Sequence, residues 1–426
     1  MRKHILSAFI ISSVILSGCY AQPGDEGYIG DPYTGKRRSV SYSSTSIYNS
    51  RNEIIGEIDY SQLLYMTDGN IIYCKYGSNY DAYSNMELYL YNIDSNTSQL
   101  LGVIEDWSFL NKNNSWAADG HLYLLVTTGD YISEDKSKQE VYDVDLNQQS
   151  VKSIYTVKNP TTYNTMTIAE DKLFISSTDK KGTFLIESYD LKSMESSIMQ
   201  PSFTYDEESS SGEVIRYITY DEENIYLLRV KREASGDTFV YIDKYDNNFN
   251  FISSKEFEPE LDYGFDPSDN YDLIMEQRFD VAMCFRVFGD YFYYENRGMI
   301  QCMQKLENDE FKSVFRSPYL KWITNCDADG QVNMIFNVER NDVKQKNKNM
   351  IYSIDEKTDT IKSAEFVLFD KKYCINDAIT DSEGNIFAEV RNGFAESQEL
   401  DDYRLYYIKN SELDFAETND FPDTLF

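Results

Sequence analysis

Apolar residues in this chain fall in short runs, roughly four to eight residues long, each bounded by a polar turn. A helix would show apolar positions every third and fourth residue over ten or more positions, and few stretches keep that spacing. The runs predict strands. One unit recurs, an acidic or glycine turn followed by an apolar-aromatic strand: Asp68-Gly69-Asn70-Ile71-Ile72-Tyr73, Asp119-Gly120-His121-Leu122-Tyr123 and Glu170-Asp171-Lys172-Leu173-Phe174. It continues as Glu222-Glu223-Asn224-Ile225-Tyr226, Gly289-Asp290-Tyr291-Phe292-Tyr293, Asp329-Gly330-Gln331-Val332 and Glu383-Gly384-Asn385-Ile386-Phe387. A second series interleaves with it, as in Glu87–Asp94, Glu140–Leu146 and Ile351–Asp355. Each repeat therefore predicts four short strands, with Asp-Gly and Gly-Asn supplying the positive φ that tight hairpins need.

Four antiparallel strands recurring every 40–50 residues or so are the signature of a β-propeller. The expected fold is all-β: one propeller domain over residues 46–426, with seven four-stranded blades closed by an N-terminal strand. Blade boundaries are expected near residues 58, 105, 158, 204, 259, 316 and 370. Closure leaves a trace in the sequence. Ile54-Ile55-Gly56-Glu57-Ile58 resembles Leu100-Leu101-Gly102-Val103-Ile104, the end of the first repeat, so an orphan outer strand precedes repeat one. The last repeat has a weak fourth strand, because Leu413 to Phe426 is acidic and broken by Pro422. Residues 53–58 are thus expected to pair with the last blade, which also covers an exposed strand edge.

The N-terminus carries a different signal. Arg2, Lys3 and His4 precede an apolar run from Ile5 to Leu16, and Ile15-Leu16-Ser17-Gly18 leads into Cys19. This layout resembles the lipobox of bacterial lipoproteins. The resemblance implies a signal peptide over residues 1–18, cleavage before Cys19, and acylation of that cysteine with chains such as palmitate. Residues 19–45 then read as a flexible tether, and the protein as extracytoplasmic, held to the cell membrane by lipid. A spanning helix needs about twenty apolar residues, more than this run provides.

Charge narrows the partners. Lys and Arg number 40 against 72 Asp and Glu, a formal net charge of −32. Such a surface repels nucleic acid, whose affinity comes mostly from phosphate contacts, and favours divalent cations and basic partners. Tyr and Phe, 36 and 24 of them, suit half-buried pleated surfaces and argue against disorder. With Cys19 assigned to lipid, five cysteines remain without paired spacing, so Cys74, Cys284 and Cys374 read as small core residues. Only His121 lies beyond the signal segment, which disfavours zinc sites and Ser-His or Cys-His catalysis.

Propellers bind ligands at the mouth of the central channel, and counting back from each acidic turn places polar residues there. Among them are Asn164, Arg216, Lys321 and Asn376, the two cations suggesting an anionic ligand. Trp107 and Trp322 lead into inner strands, where they could stack on sugar rings. A long insertion before Asp290 carries Asp262, Tyr263, Phe265 and Tyr271, a candidate partner loop. Asp327-Ala328-Asp329-Gly330 resembles the opening of a calcium loop but lacks the later bidentate acid, so calcium is a minor expectation and no other cofactor is expected. From these features the expected function is a noncatalytic binding or scaffold module for a protein or extracellular ligand. The alternative is a glycan-binding or glycan-cleaving enzyme, which would need paired carboxylates across a cleft.

Overall fold

The structure is a computed structural model. The described residues are 45–76, 84–110, 115–129, 137–160, 164–179, 183–199, 205–206, 211–221, 223–259, 284–295, 301–317, 320–326, 331–338, 348–355, 358–366, 373–392 and 403–418. Cys19, the tether, the insertion with Asp262, Tyr263, Phe265 and Tyr271, and the Asp327–Gly330 turn lie outside them.

Among the described residues the chain is all-β, with strands gathered into six hydrogen-bonded sheets, two of them four-stranded. Six of the acidic turns fall, in the described residues, where the sequence puts them, inside antiparallel hairpins, and a seventh hairpin pairs Leu320–Cys326 with Gln331–Val338. The first strand of each hairpin is here called its lead strand. The lead strands are Gln62–Thr67, Trp116–Ala118, Met166–Ala169, Ser211–Tyr220, Phe285–Phe288, Leu320–Cys326 and Tyr373–Thr380. At the turns, Gly69 and Gly120 take φ of +72° and +79°, which side chains disfavour. The acidic residues have a structural use: Asp145, Asp190, Asp221, Asp246 and Asp381 each accept backbone N–H groups from their own turn.

Inner strands such as His121–Gly129 and Ile225–Arg232 are buried at nearly every position, so both of their faces are covered. Seven separate clusters of buried side chains lie within and between the sheets. One joins Val214, Tyr217 and Leu228 of the fourth repeat to Phe285, Phe292 and Tyr294 of the fifth. Lead strands of successive repeats also lie against one another: second with third, third with fourth, fourth with fifth, sixth with seventh, and seventh with first. The Ile218 N–H donates to Thr165 Oγ1 at 3.1 Å, tying the fourth lead strand to the loop that enters the third.

The ends of the chain meet, with a change from the expected pairing. Ile54–Ile58 does join the sheet of the seventh hairpin, but Thr45–Asn49 stands between. That strand pairs in parallel with Tyr403–Ile408, and Ile54–Ile58 folds back on it as an antiparallel fifth strand. The fold-back is set locally: Asn49 Oδ1 accepts the N–H groups of Arg51 and Glu53 at 2.9 Å, and Asn52 takes a positive φ. The resemblance between residues 54–58 and 100–104 has a packing cause. A Cβ on Gly56 would strike the Tyr91 hydroxyl in the first repeat, and one on Gly102 would strike Val151 in the second. Both glycines let an outer strand press against the next repeat.

The C-terminal tail also departs from expectation. Ala416–Glu417 pairs with Thr360–Phe366 of the preceding sheet, and Leu413 and Phe415 pack into the cluster shared by the two sheets. A chain ending at Lys409 is expected to lose about 1–3 kcal/mol, the worth of two partly buried apolar side chains. Urea denaturation monitored by fluorescence measures this directly.

Candidate functional site at the lead strands

The most concentrated chemistry sits where lead strands converge. Arg286, on the fifth lead strand, places its guanidinium 4.3 Å from the ring centre of Trp116 on the second and 6.0 Å from Tyr217 on the fourth. One side chain thus bridges repeats that are not neighbours in sequence. Trp116 is held by its own indole N–H, which donates to the Met166 carbonyl at 2.5 Å on the third lead strand. Tyr217 is fully buried and accepts a hydrogen bond from Arg286. A cation on an aromatic face in a desolvated place is favourable by about 2 kcal/mol or more, so the guanidinium is fixed in position.

Beside it lie Cys284 and Glu295, paired through the Glu295 N–H to the Cys284 carbonyl at 3.1 Å. Burial raises the Glu295 carboxyl to about 7, against a smaller opposing effect from a hydrogen bond with Gln301. Burial likewise pushes the Cys284 thiol up to about 11 despite Arg286 nearby, so this cysteine is a core residue and not a thiolate nucleophile. The buried Oε1 of Gln301 has no partner among the described residues. Such an atom is satisfied when a ligand brings an N–H group. A carboxyl near neutrality, a fixed cation and an orphan acceptor can hold a polar substrate and exchange a proton with it.

The residues expected from sequence are distributed unevenly around this centre. Arg216 occupies a β-bulge between Ile215 and Tyr217 of the fourth lead strand, next to the cluster. Lys321 sits at the corresponding irregularity of the sixth and Asn376 at that of the seventh. Bulges re-aim a side chain away from the pleat. Of Lys321 and Trp322 only the backbone belongs to the described residues. Asn376 donates to Glu389, which also accepts the Tyr60 hydroxyl at 2.5 Å. Asn164 is buried and donates to the Asn159 carbonyl at 3.1 Å, closing its own loop. Trp107 is 5% exposed and stacks on Tyr76 at 4.1 Å, so that face is already covered and the residue serves packing. His121 bonds Asp143 at 2.7 Å through Nδ1, with Lys152 on the other carboxylate oxygen, at the turn end of its strand. No group of three or more His, Cys, Asp or Glu among the described residues could hold a metal ion.

Sequence reasoning missed Arg286, Trp116, Tyr217 and Glu295. Counting back from the acidic turns reaches Met283 in the fifth repeat, three residues before Arg286. Glu295 belongs to a second strand and had no local motif.

No protein-family model and no curated protein matches the sequence. Solved structures similar to it include an acylaminoacyl peptidase of Pyrococcus horikoshii, 14% identical, with 73% of this chain and 46% of that one covered and a TM-score of 0.43. Another comes from an analysis of two prolyl endopeptidases, 10% identical, covering 84% and 49%, TM-score 0.45. A third is the β-propeller domain of the Trilobed protease from Pyrococcus furiosus, 11% identical, covering 75% and 98%, TM-score 0.36. The chain spans about half the length of the first two. These neighbours correct one expectation: they are peptidases, and the reading of a noncatalytic binding or scaffold module is withdrawn.

Proposed function

We propose that this chain is a surface-tethered, peptidase-like hydrolase built on a closed seven-bladed β-propeller, with Cys19 acylated and the lead-strand cluster as its working site. The observation that carries the reading is the convergence of Arg286, Trp116, Tyr217 and Glu295 from three lead strands and one second strand. The peptidases named above supply the substrate class with which a test begins.

In this reading Glu295, ionised, takes a proton from water as the water oxygen adds to the substrate carbonyl carbon. The Arg286 guanidinium faces the oxygen on which negative charge develops, the place where a fixed donor contributes most. The proton then passes from Glu295 to the leaving amine as the carbon–nitrogen bond breaks. Water is thereby added across that bond, and Glu295 returns to its starting state.

The full chain, incubated with a mixture of unmodified short peptides and followed by mass spectrometry, is expected to release shortened products. The rate is expected to rise with pH through about 7, because the base must be ionised. Glu295→Gln is expected to reduce it by about a hundredfold or more with a melting point at neutral pH no lower than that of the parent. Hydrolysis by Glu295→Gln at the parent rate, or no hydrolysis by the parent, would sink the proposal.

Stability carries a second mark of the same group. A carboxyl whose folded pKa is raised favours the folded state fully below its unfolded value, and that advantage is lost as pH climbs to the folded value. Glu295 therefore makes the protein less stable between about pH 4.5 and 7 as pH rises. Glu295→Gln is expected to flatten that part of the melting-point profile.

A further inference from the structure

The fifth repeat decides what stands beside Glu295. Tyr291–Glu295 pairs antiparallel with Gln301–Glu307, and the register sets Glu295 directly opposite Gln301 at the end of the ladder. Residues opposed in this way share a face of the sheet, with Cβ atoms about 4.5–5.5 Å apart. The Gln301 carboxamide N–H donates to the Glu295 carboxylate, which favours its ionised form. The other end of the same carboxamide, Oε1, is buried and has no partner among the described residues. An amide has a donor end and an acceptor end, while a carboxyl takes a donor when ionised and an acceptor when protonated. Burial brings the Glu295 carboxyl to about 7, so both of its forms are populated near neutral pH.

We propose that Gln301 is the positioning residue of the working site, its carboxamide holding the Glu295 carboxyl in both protonation states. This rests on the reaction proposed above, in which Glu295 takes a proton from water and later releases it. In the ionised form Nε2–H donates to one carboxylate oxygen and leaves the other for water. In the protonated form Oε1 accepts the carboxyl O–H until the leaving amine takes the proton. Other groups leave this titration legible. Tyr217, Tyr293 and Cys284 all feel the Glu295 charge, and burial pushes each of them up, the Cys284 thiol to about 11. Arg286 is felt by the same three groups, and a guanidinium does not titrate in this range. Cys302, next to Gln301, is fully buried.

The test follows peptide hydrolysis across pH by the full chain as parent, Gln301→Met and Gln301→Glu, with melting points alongside. Met has nearly the length of Gln without its donor or its strong acceptor. Gln301→Met is expected to lower kcat about tenfold with KM within about twofold of the parent's. It should also move the midpoint of the rate profile up by about one pH unit, because the lost bond to the charged form outweighs the one to the neutral form. In Gln301→Glu two carboxyls face each other, and the one that keeps its proton donates as the amide did until it too ionises. A profile that rises and then falls is expected there, and a plain rise like the parent's would count against the proposal. If Gln301→Met does not fold, this second variant decides. A lower melting point with the parent's midpoint and kcat would mark Gln301 as merely structural, and overturn the inference while the working site stands. If the parent itself hydrolyses nothing, the working site is wrong and the inference falls with it.

Discussion

A chain that starts at Asp59 is expected to lose cooperative folding, or to melt at least about 10 °C lower than one that starts at Thr45. The shortened chain lacks two strands whose residues Ile47 and Ile58 are at most 2% exposed and belong to the cluster that includes Leu63, Tyr91 and Phe387. Burying an aliphatic side chain of that size contributes about 1.5–3 kcal/mol. Two of them, with the Tyr48–Tyr406 stack at 5.5 Å and the Tyr406 hydroxyl bond to Asn52, approach the whole stability of an ordinary domain. Loss of these strands also bares the edge of Tyr403–Ile408, a template for pairing with other chains. Calorimetry and size-exclusion chromatography on the two chains decide the matter. Equal melting points and a monomeric profile for the shorter chain would show that the closing strands add nothing.

Legibility in the sequence followed the range of the interaction involved. The acidic turns were readable because a hairpin turn is decided by four or five consecutive residues, as in Asp381 accepting the N–H groups of Glu383 and Asn385. The outer closing strand was readable because Gly56 repeats the packing task of Gly102. Its neighbour Thr45–Asn49 was not, since five residues of mixed character, Thr-Ser-Ile-Tyr-Asn, gain their strand identity from a partner some 350 positions away. The tail misled for the same reason: two exposed residues, Ala416 and Glu417, are placed by Leu413 and Phe415 beside them. The working site was the least legible. Arg286 meets Trp116 across 170 positions, and no local spacing encodes a contact that only the arrangement of sheets creates. The raised carboxyl of Glu295 was illegible for the same reason, because it comes from burial.

Glu187→Ala is expected to destabilise the protein by about 3–5 kcal/mol, the largest loss for any single side chain outside the working site. Glu187 is fully buried on the strand Phe184–Asp190, which pairs with Lys172–Thr178. Its carboxylate accepts the Tyr155 hydroxyl at 2.8 Å, the backbone N–H groups of Lys158 and Asn159 at 2.9 and 3.0 Å, and the Asn159 amide at 3.3 Å. It thereby fastens the end of the second repeat to the third. Truncation leaves those buried donors without an acceptor as well as a cavity, and each unsatisfied donor costs about 1–3 kcal/mol. Tyr155→Phe alone is expected to cost about 1 kcal/mol, and almost nothing when Glu187 is already Ala, because the hydroxyl then has no carboxylate to lose. Urea midpoints of the four proteins in this cycle give the coupling. Strict additivity, or a loss below about 1 kcal/mol for Glu187→Ala, would mean that the connection is held by the surrounding apolar contacts of Tyr155, Val157 and Tyr189 instead.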